Sequence, residues 1–178
     1  MKPVFSKIFL VLCLFALVAG ASAQQKLNFS DLPLIASPAP MPLGYGQLDW
    51  GNFFYVNPYG WSDAGTGFKL GPQTKDVAFI GGEFCNLAGN ACFGTITDTR
   101  GFVAVSADVA GGYGPVAITV TAYNNGKFLG SVNYSIGSQL TKLKFPATWG
   151  VVTELSIQAS GQAGDFVLYD LSLYTLGG

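Results

Sequence analysis

Three features of the sequence predict an all-β fold, an antiparallel β-sandwich or jelly roll. Short stretches rich in Val, Ile, Thr, Tyr and Phe alternate apolar with polar residues at the period of a strand. Gly, Pro and Asn separate these stretches, and no segment holds a helical period. At the centre, residues 116–136 form two alternating arms across Asn124-Asn125-Gly126-Lys127, and Asn125-Gly126 tolerates the positive φ angles of a tight primed turn. Many short strands with such punctuation pack as two layers.

The elements follow in chain order. Lys2 and Lys7 precede an apolar run over residues 8–18, and Ala21-Ser22-Ala23 supplies the small residues a signal peptidase reads before Gln24. Residues 1–23 are therefore expected to be a cleaved secretory signal, the run being shorter than the roughly 20 apolar residues of a membrane span. Residues 24–178 are expected to form a single β-sandwich domain, secreted and extracellular, without membrane insertion. A first strand is predicted at residues 26–32, after which Pro33, Pro38, Pro40 and Pro42 keep the chain extended and off any interior ladder. Within the aromatic stretch 45–61, a strand at 52–56 puts Phe53 and Tyr55 on one face and Phe54 and Val56 on the other. One set meets the core, so the other needs a second cover, and Trp50 at the strand entrance is expected to be a core plug. Further strands are predicted at 77–80, 95–97, 102–109, the two hairpin arms, 140–145, 152–159 and 166–174. Their inward face is expected to hold Val103, Val105, Val109, Ile118, Val120, Val132, Tyr134, Ile136, Leu143, Phe145, Leu155, Ile157, Val167, Tyr169, Leu171 and Leu173.

Composition removes several classes of function. After the signal, seven basic residues stand against ten acidic ones, a net charge of −3 with no basic cluster. That argues against nucleic acid and against docking on anionic lipid. The chain has no histidine, which removes Ser-His-Asp and Cys-His catalysis and His-ligated zinc or copper. A carboxylate pair drawn from Asp49, Asp63, Asp76, Glu83, Asp98, Asp108, Glu154, Asp165 and Asp170 is the enzymatic option left. Most acids in such a sandwich are solvated turn residues, so the protein is read as a non-enzyme. No phosphate loop, dinucleotide fingerprint or EF-hand spacing is present. With Cys13 lost with the signal, Cys85 and Cys92 remain as an even pair in an extracellular chain, which suggests one disulfide. A metal pair is the rival, with no histidine or further cysteine to complete a thiolate site.

Gly44-Tyr45-Gly46-Gln47-Leu48-Asp49-Trp50-Gly51-Asn52-Phe53, then Val77-Ala78-Phe79, the central hairpin, and Phe166-Val167-Leu168-Tyr169-Asp170-Leu171-Ser172-Leu173 together resemble a group of secreted fungal and bacterial proteins of unassigned activity. The resemblance covers nearly all of the mature chain. It implies a jelly roll similar to galactose-binding-like domains, a fold many carbohydrate-binding modules share, and fold analogy alone does not carry function. Bacterial members often end in a Pro-Glu-Pro sorting tail, which is not seen here, so a fungal-type secreted protein is expected. Such modules often carry adjacent aspartates on the last strand that help hold a structural calcium with groups from the first strand. Here Tyr169 takes the first place and leaves Asp170, so the resemblance implies a calcium between Asp31 and Asp170, with backbone carbonyls completing six to eight oxygens. The other reading is two unconnected turn and strand-edge aspartates. No other cofactor is expected.

Two functions of different class fit. One is a non-catalytic module binding a cell-wall polysaccharide or glycoprotein glycan, with exposed aromatics stacking on sugar rings and Asn, Gln or Asp bonding hydroxyls. Its candidate stacking residues are Tyr59 and Trp61, at the turn Asn57-Pro58-Tyr59-Gly60, and Tyr45. The other is a structural or protein-interaction role outside the cell that needs no small-ligand site. A row of solvent-facing aromatics beside polar groups would favour the first, and a smooth polar surface with one apolar patch the second. Asn28-Phe29-Ser30 and Asn133-Tyr134-Ser135 match the N-glycosylation acceptor pattern, and alternation that buries Val132 and Tyr134 points Asn133 outward.

Overall fold

A computed structural model describes residues 24–81, 92–160 and 166–176. Eleven strands cover most of them: β1 (Gln24–Leu27), β2 (Ala39–Pro40), β3 (Asp49–Gly51), β4 (Phe53–Val56), β5 (Val77–Ile80), β6 (Cys92–Gly111), β7 (Val116–Asn124), β8 (Lys127–Ile136), β9 (Thr141–Lys144), β10 (Val152–Ala159) and β11 (Phe166–Thr175). Every pairing is antiparallel, so the fold is all-β as the alternation predicts. Single 3-10 turns at Tyr45–Gln47, Thr66–Phe68 and Ala147–Trp149 interrupt the connections. The hairpin forms as its sequence dictates, with Asn125 at φ 49° and Gly126 at φ 76°, both left-handed as a primed turn requires.

β6 is the spine of the molecule. Its first half pairs with β10 on one side and β3 on the other, and its second half pairs with β11 and β9. Gly101, at φ 86°, sits between the halves, where a side chain would be strained. The hydrogen-bonded network is thereby folded into two layers. A hairpin layer runs β3-β6-β10-β7-β8, and a β11 layer runs β2-β4-β5-β11-β6-β9, with β1 following β5 along the same edge of β11. A second crossing lies between β3 and β4, where Asn52 takes a φ of 61° and the chain passes from one layer to the other.

The core lies between the layers. Ile96, Ile118, Val120, Leu155 and Ile157 from the hairpin layer face Ala107, Val109, Leu143, Phe166, Leu168 and Leu171 from the β11 layer, all buried. Fully burying side chains of this kind is worth about 1.5–3 kcal/mol each. The alternation at 52–56 holds, since Phe53 and Tyr55 enter this core while Val56 and Phe54 join a smaller cluster on the outer face of the β11 layer. The second cover that set required is the segment 57–76, which lays Trp61, Phe68 and Leu70 over Val77, Phe79, Val167 and Tyr169.

Four sequence expectations change. The first strand ends at Leu27 rather than residue 32, because Phe29 turns to φ 60° to bury its ring. The strands predicted at 95–97 and 102–109 are one continuous β6, since Gly101 bends the ladder without ending it. Val103 and Val105 lie on the outer side while Phe102 and Ala104 face inward, and a register shift opposite Ser172 and Leu173 restores Ala107 and Val109 to the core. Val167 and Tyr169 are buried, but under the outer cover rather than between the layers.

Candidate functional site

The three aromatic candidates are held by packing and hydrogen bonds. Asn57 organises the turn after β4: its Oδ1 accepts from the backbone N–H of Tyr59 (3.0 Å) and Gly60 (3.2 Å), and its Nδ2 donates to Gln73 O (2.8 Å). Tyr59 is consequently displayed, 39% exposed as a residue, yet its hydroxyl lies 2.9 Å from Lys69 O and 2.8 Å from Gly71 O. Trp61 is half-buried, stacked on Phe79 (5.7 Å between centroids, 17°) and edge-on to Phe68 (5.2 Å, 84°). Both residues therefore fasten the outer cover. Tyr45 is further removed, stacked on Phe29 at 5.7 Å in the entrance to the main core. Its hydroxyl donates to Asp31 Oδ1 (2.7 Å) and accepts from Phe29 N–H (3.2 Å), and burial, then the bond to Asp31, push its pKa well above the usual tyrosine range.

β1 and β11 are neighbours, as a calcium between Asp31 and Asp170 would need. The donor set around Asp170 does not fit one. Its Oδ1 faces Lys75 Nζ at 2.8 Å and its Oδ2 faces Lys26 Nζ at 3.2 Å, while Asp31 is engaged with Tyr45. Two ammonium groups already supply the positive charge a cation would bring. Among the described residues no group of three His, Cys, Asp or Glu side chains could hold a metal ion. Cys92 opens β6 and is buried, and Cys85 lies outside the described residues. The predicted signal, residues 1–23, lies outside them too. No helix among the described residues is long and apolar enough to cross a membrane. Asn28 sits in the turn after β1, where its Oδ1 accepts from Ser30 N–H (3.2 Å) and Ser30 Oγ (2.8 Å).

The polar positions that alternation leaves outside are brought together on the outer face of the hairpin layer. Registers across four strands place Phe93, Gln158, Thr119 and Asn133 side by side in one row. Thr95, Ser156, Thr121 and Ser131 form the next row, and Thr97, Glu154 and Tyr123 the third. At strand spacings of about 4.8 Å the first row is about 14 Å long. Phe93 is 44% exposed at one end, and Asn133 and Gln158 are exposed along it. Thr119 Oγ1 donates to Asn133 Oδ1 (2.7 Å), and the hydroxyls of Thr121 and Ser131 lie 3.2 Å apart. Thr119, Asn133, Gln158 and Ser160 line an open groove of about 280 Å³ over this row. The face is rich in amides and hydroxyls and ends on an aromatic ring. Sequence reasoning singled out Asn133 but missed Phe93, Thr119 and Gln158, because they are adjacent only through pairings that a one-dimensional alternation does not specify.

Two carboxyl groups are strongly conditioned elsewhere. Burial alone would raise the Asp98 carboxyl, but Arg100 reaches it with Nη2 to Oδ2 at 3.0 Å and Nε to Oδ1 at 3.1 Å, and these contacts hold it below the usual range. Asp76 is fully buried with neither carboxyl oxygen hydrogen-bonded, and burial raises its pKa to about 6.

No family model and no curated protein sequence matches the chain. Among solved structures, a DUF4465 family protein from Bacteroides caccae superposes with a TM-score of 0.49 at 12% identity, over 86% of this chain and 93% of that one. An arabinose-bound GH51 α-L-arabinofuranosidase gives 0.46 at 12% identity, over 86% of this chain and 26% of the enzyme. A CBM61 module in complex with β-1,4-galactotriose gives 0.39 at 9% identity, over 74% of this chain and 90% of the module. These matches do not bear on the resemblance to fungal secreted proteins.

Proposed function

We propose that the protein is a secreted, non-catalytic module that binds a polysaccharide or glycoprotein glycan on the outer face of the hairpin layer. The row Phe93, Gln158, Thr119 and Asn133 is the observation that supports this reading. An exposed ring offers an apolar surface for a sugar face, and the amides and hydroxyls beside it offer donors and acceptors for sugar hydroxyls. The face is open rather than pocketed, which suits the side of a chain better than a small molecule. The row Phe93, Gln158, Thr119 and Asn133 carries no charged side chain, which suits a neutral glycan.

Retention on a panel of insoluble wall polysaccharides tests the proposal. Phe93→Ala and Gln158→Ala each weaken binding about tenfold, the equivalent of ~1.4 kcal/mol. Both positions are exposed, so the thermal midpoint stays close to that of the parent. Trp61→Ala distinguishes the two faces, because it lies on the β11 layer. Binding that follows Trp61 and ignores Phe93 and Gln158 refutes the assignment, as does a chain retained by no polysaccharide.

A further inference from the structure

β8 lies at the edge of the hairpin layer, where β7 is its one partner among the described strands. An edge strand displays backbone N–H and C=O groups that another strand can pair with, and proteins usually guard such edges with charge, proline or short length. The other edges here are guarded. β9 has four residues and carries Lys142 and Lys144, β1 has four and carries Lys26, β3 has three and opens on Asp49, and β2 is two residues ending in Pro40. β8 runs for ten residues, and after Lys127 no charged residue or proline appears before Lys142.

The two ends of β8 are complementary. At its start Phe128 pairs with Tyr123 on the outer face, 59% exposed, with Leu129 taken up in the register shift of the hairpin. At its end an open groove of about 280 Å³ is lined by Pro115, Val116, Ala117, Ser135, Ile136 and Gly137. A two-fold axis beside Val132 would set β8 against β8 of a second copy in antiparallel register, Ser131 of each opposite Asn133 of the other. Counting the extra residue at Leu129, Phe128 of each copy then arrives at Ser135 and the groove of the other. The single charge of the strand, Lys127, stays at the outer end of each copy, so like charges do not meet across the paired strands.

We infer that this edge is a self-association surface: two copies pair through β8, each inserting Phe128 into the groove beside Ser135 and Ile136 of the other. The hairpin layers join into one continuous sheet, and their polar outer faces lie side by side. The inference does not depend on what that face binds.

Sedimentation velocity over a concentration series tests it, using protein from a host without N-glycosylation so that no glycan at Asn133 obstructs the edge. The parent shows a reversible monomer–dimer equilibrium, and hydrogen exchange of the β8 amides slows as the dimer forms. Phe128→Ser removes two contacts per dimer and raises the dissociation constant about a hundredfold, each contact counting for about tenfold. Ser135→Lys, which places a charge in the groove, has the same direction of effect. Both side chains are exposed in the monomer, so at low concentration Ser135→Lys keeps the thermal midpoint of the parent and Phe128→Ser lowers it by only a few degrees through the lost edge contact with Tyr123. A parent that stays monomeric at its highest soluble concentration overturns the inference. A dimer that survives either substitution, or whose exchange protection falls on another strand, overturns it equally.

Discussion

Asp76 should make the protein less stable as the pH rises from about 4 to 7. It stands just before β5, where the outer cover meets the β11 layer, with no surface exposed and no partner on either carboxyl oxygen. The neighbouring Lys75 is turned to Asp170 and gives Asp76 no compensating charge. Burial alone raises the Asp76 pKa from 3.8 to about 6. In the unfolded chain the group ionises near the ordinary value, so between about pH 4 and 6 the unfolded state has lost a proton that the folded state still holds. The unfolded state binds fewer protons there, and stability falls with rising pH. About two pKa units at 1.36 kcal/mol each give roughly 3 kcal/mol, fully developed above about pH 7. Asp98 acts in the opposite direction, because its lowered pKa contributes stability that is lost as the pH falls below the ordinary carboxylate range. An Asp76→Asn variant keeps Asp98 and removes the ionisation of Asp76. Urea unfolding of both proteins at steps from pH 4 to 7.5 then isolates the effect: the parent loses about 2.5 kcal/mol relative to the variant over this range, or about 5–10 °C in thermal midpoint, the rest having been lost below pH 4. A difference that stays flat across this range refutes the assignment of a buried, unpaired carboxyl to Asp76.

Two further outcomes follow from the packing and the cysteines. Trp61→Ala should cost about 2–4 kcal/mol, because the indole covers Phe79 and Phe68, whereas Tyr59→Phe, which removes only the hydroxyl anchored at Lys69 O and Gly71 O, should cost about 1 kcal/mol. Equal unfolding curves for Trp61→Ala and the parent would return Trp61 to the role of a free surface ring. Cys85 and Cys92 are proposed to be joined in the secreted protein, so thiol labelling under denaturing conditions finds no free thiol in the mature chain, and reduction lowers stability by about 2–3 kcal/mol. Two labelled thiols per mature chain would dispose of the disulfide.

The fold class, the hairpin with its Asn125-Gly126 turn, the strands at 77–80 and 152–159, and the split of aromatic faces at 53–56 were all legible in the sequence. Each depends on side-chain period or on the φ angles a residue tolerates, and both are local properties. Tertiary structure decided the rest. Val103 and Val105 lie outside because a register shift within β6 changes which residues face inward, and alternation cannot say where a bulge falls. Trp61 became part of a cover rather than a stacking ring displayed at the turn because segment 57–76 folds back on Phe79, and Asp170 became the centre of a lysine pair because β1 and Lys75 converge on it. Cross-strand pairing assembled the polar row from four separate strands, and Asp76 lost its water only when the cover closed. Alternation along one strand tells which side chains share a face. Which strands stand beside it, and what covers that face, is set by contacts between residues far apart in the chain, which no local pattern encodes.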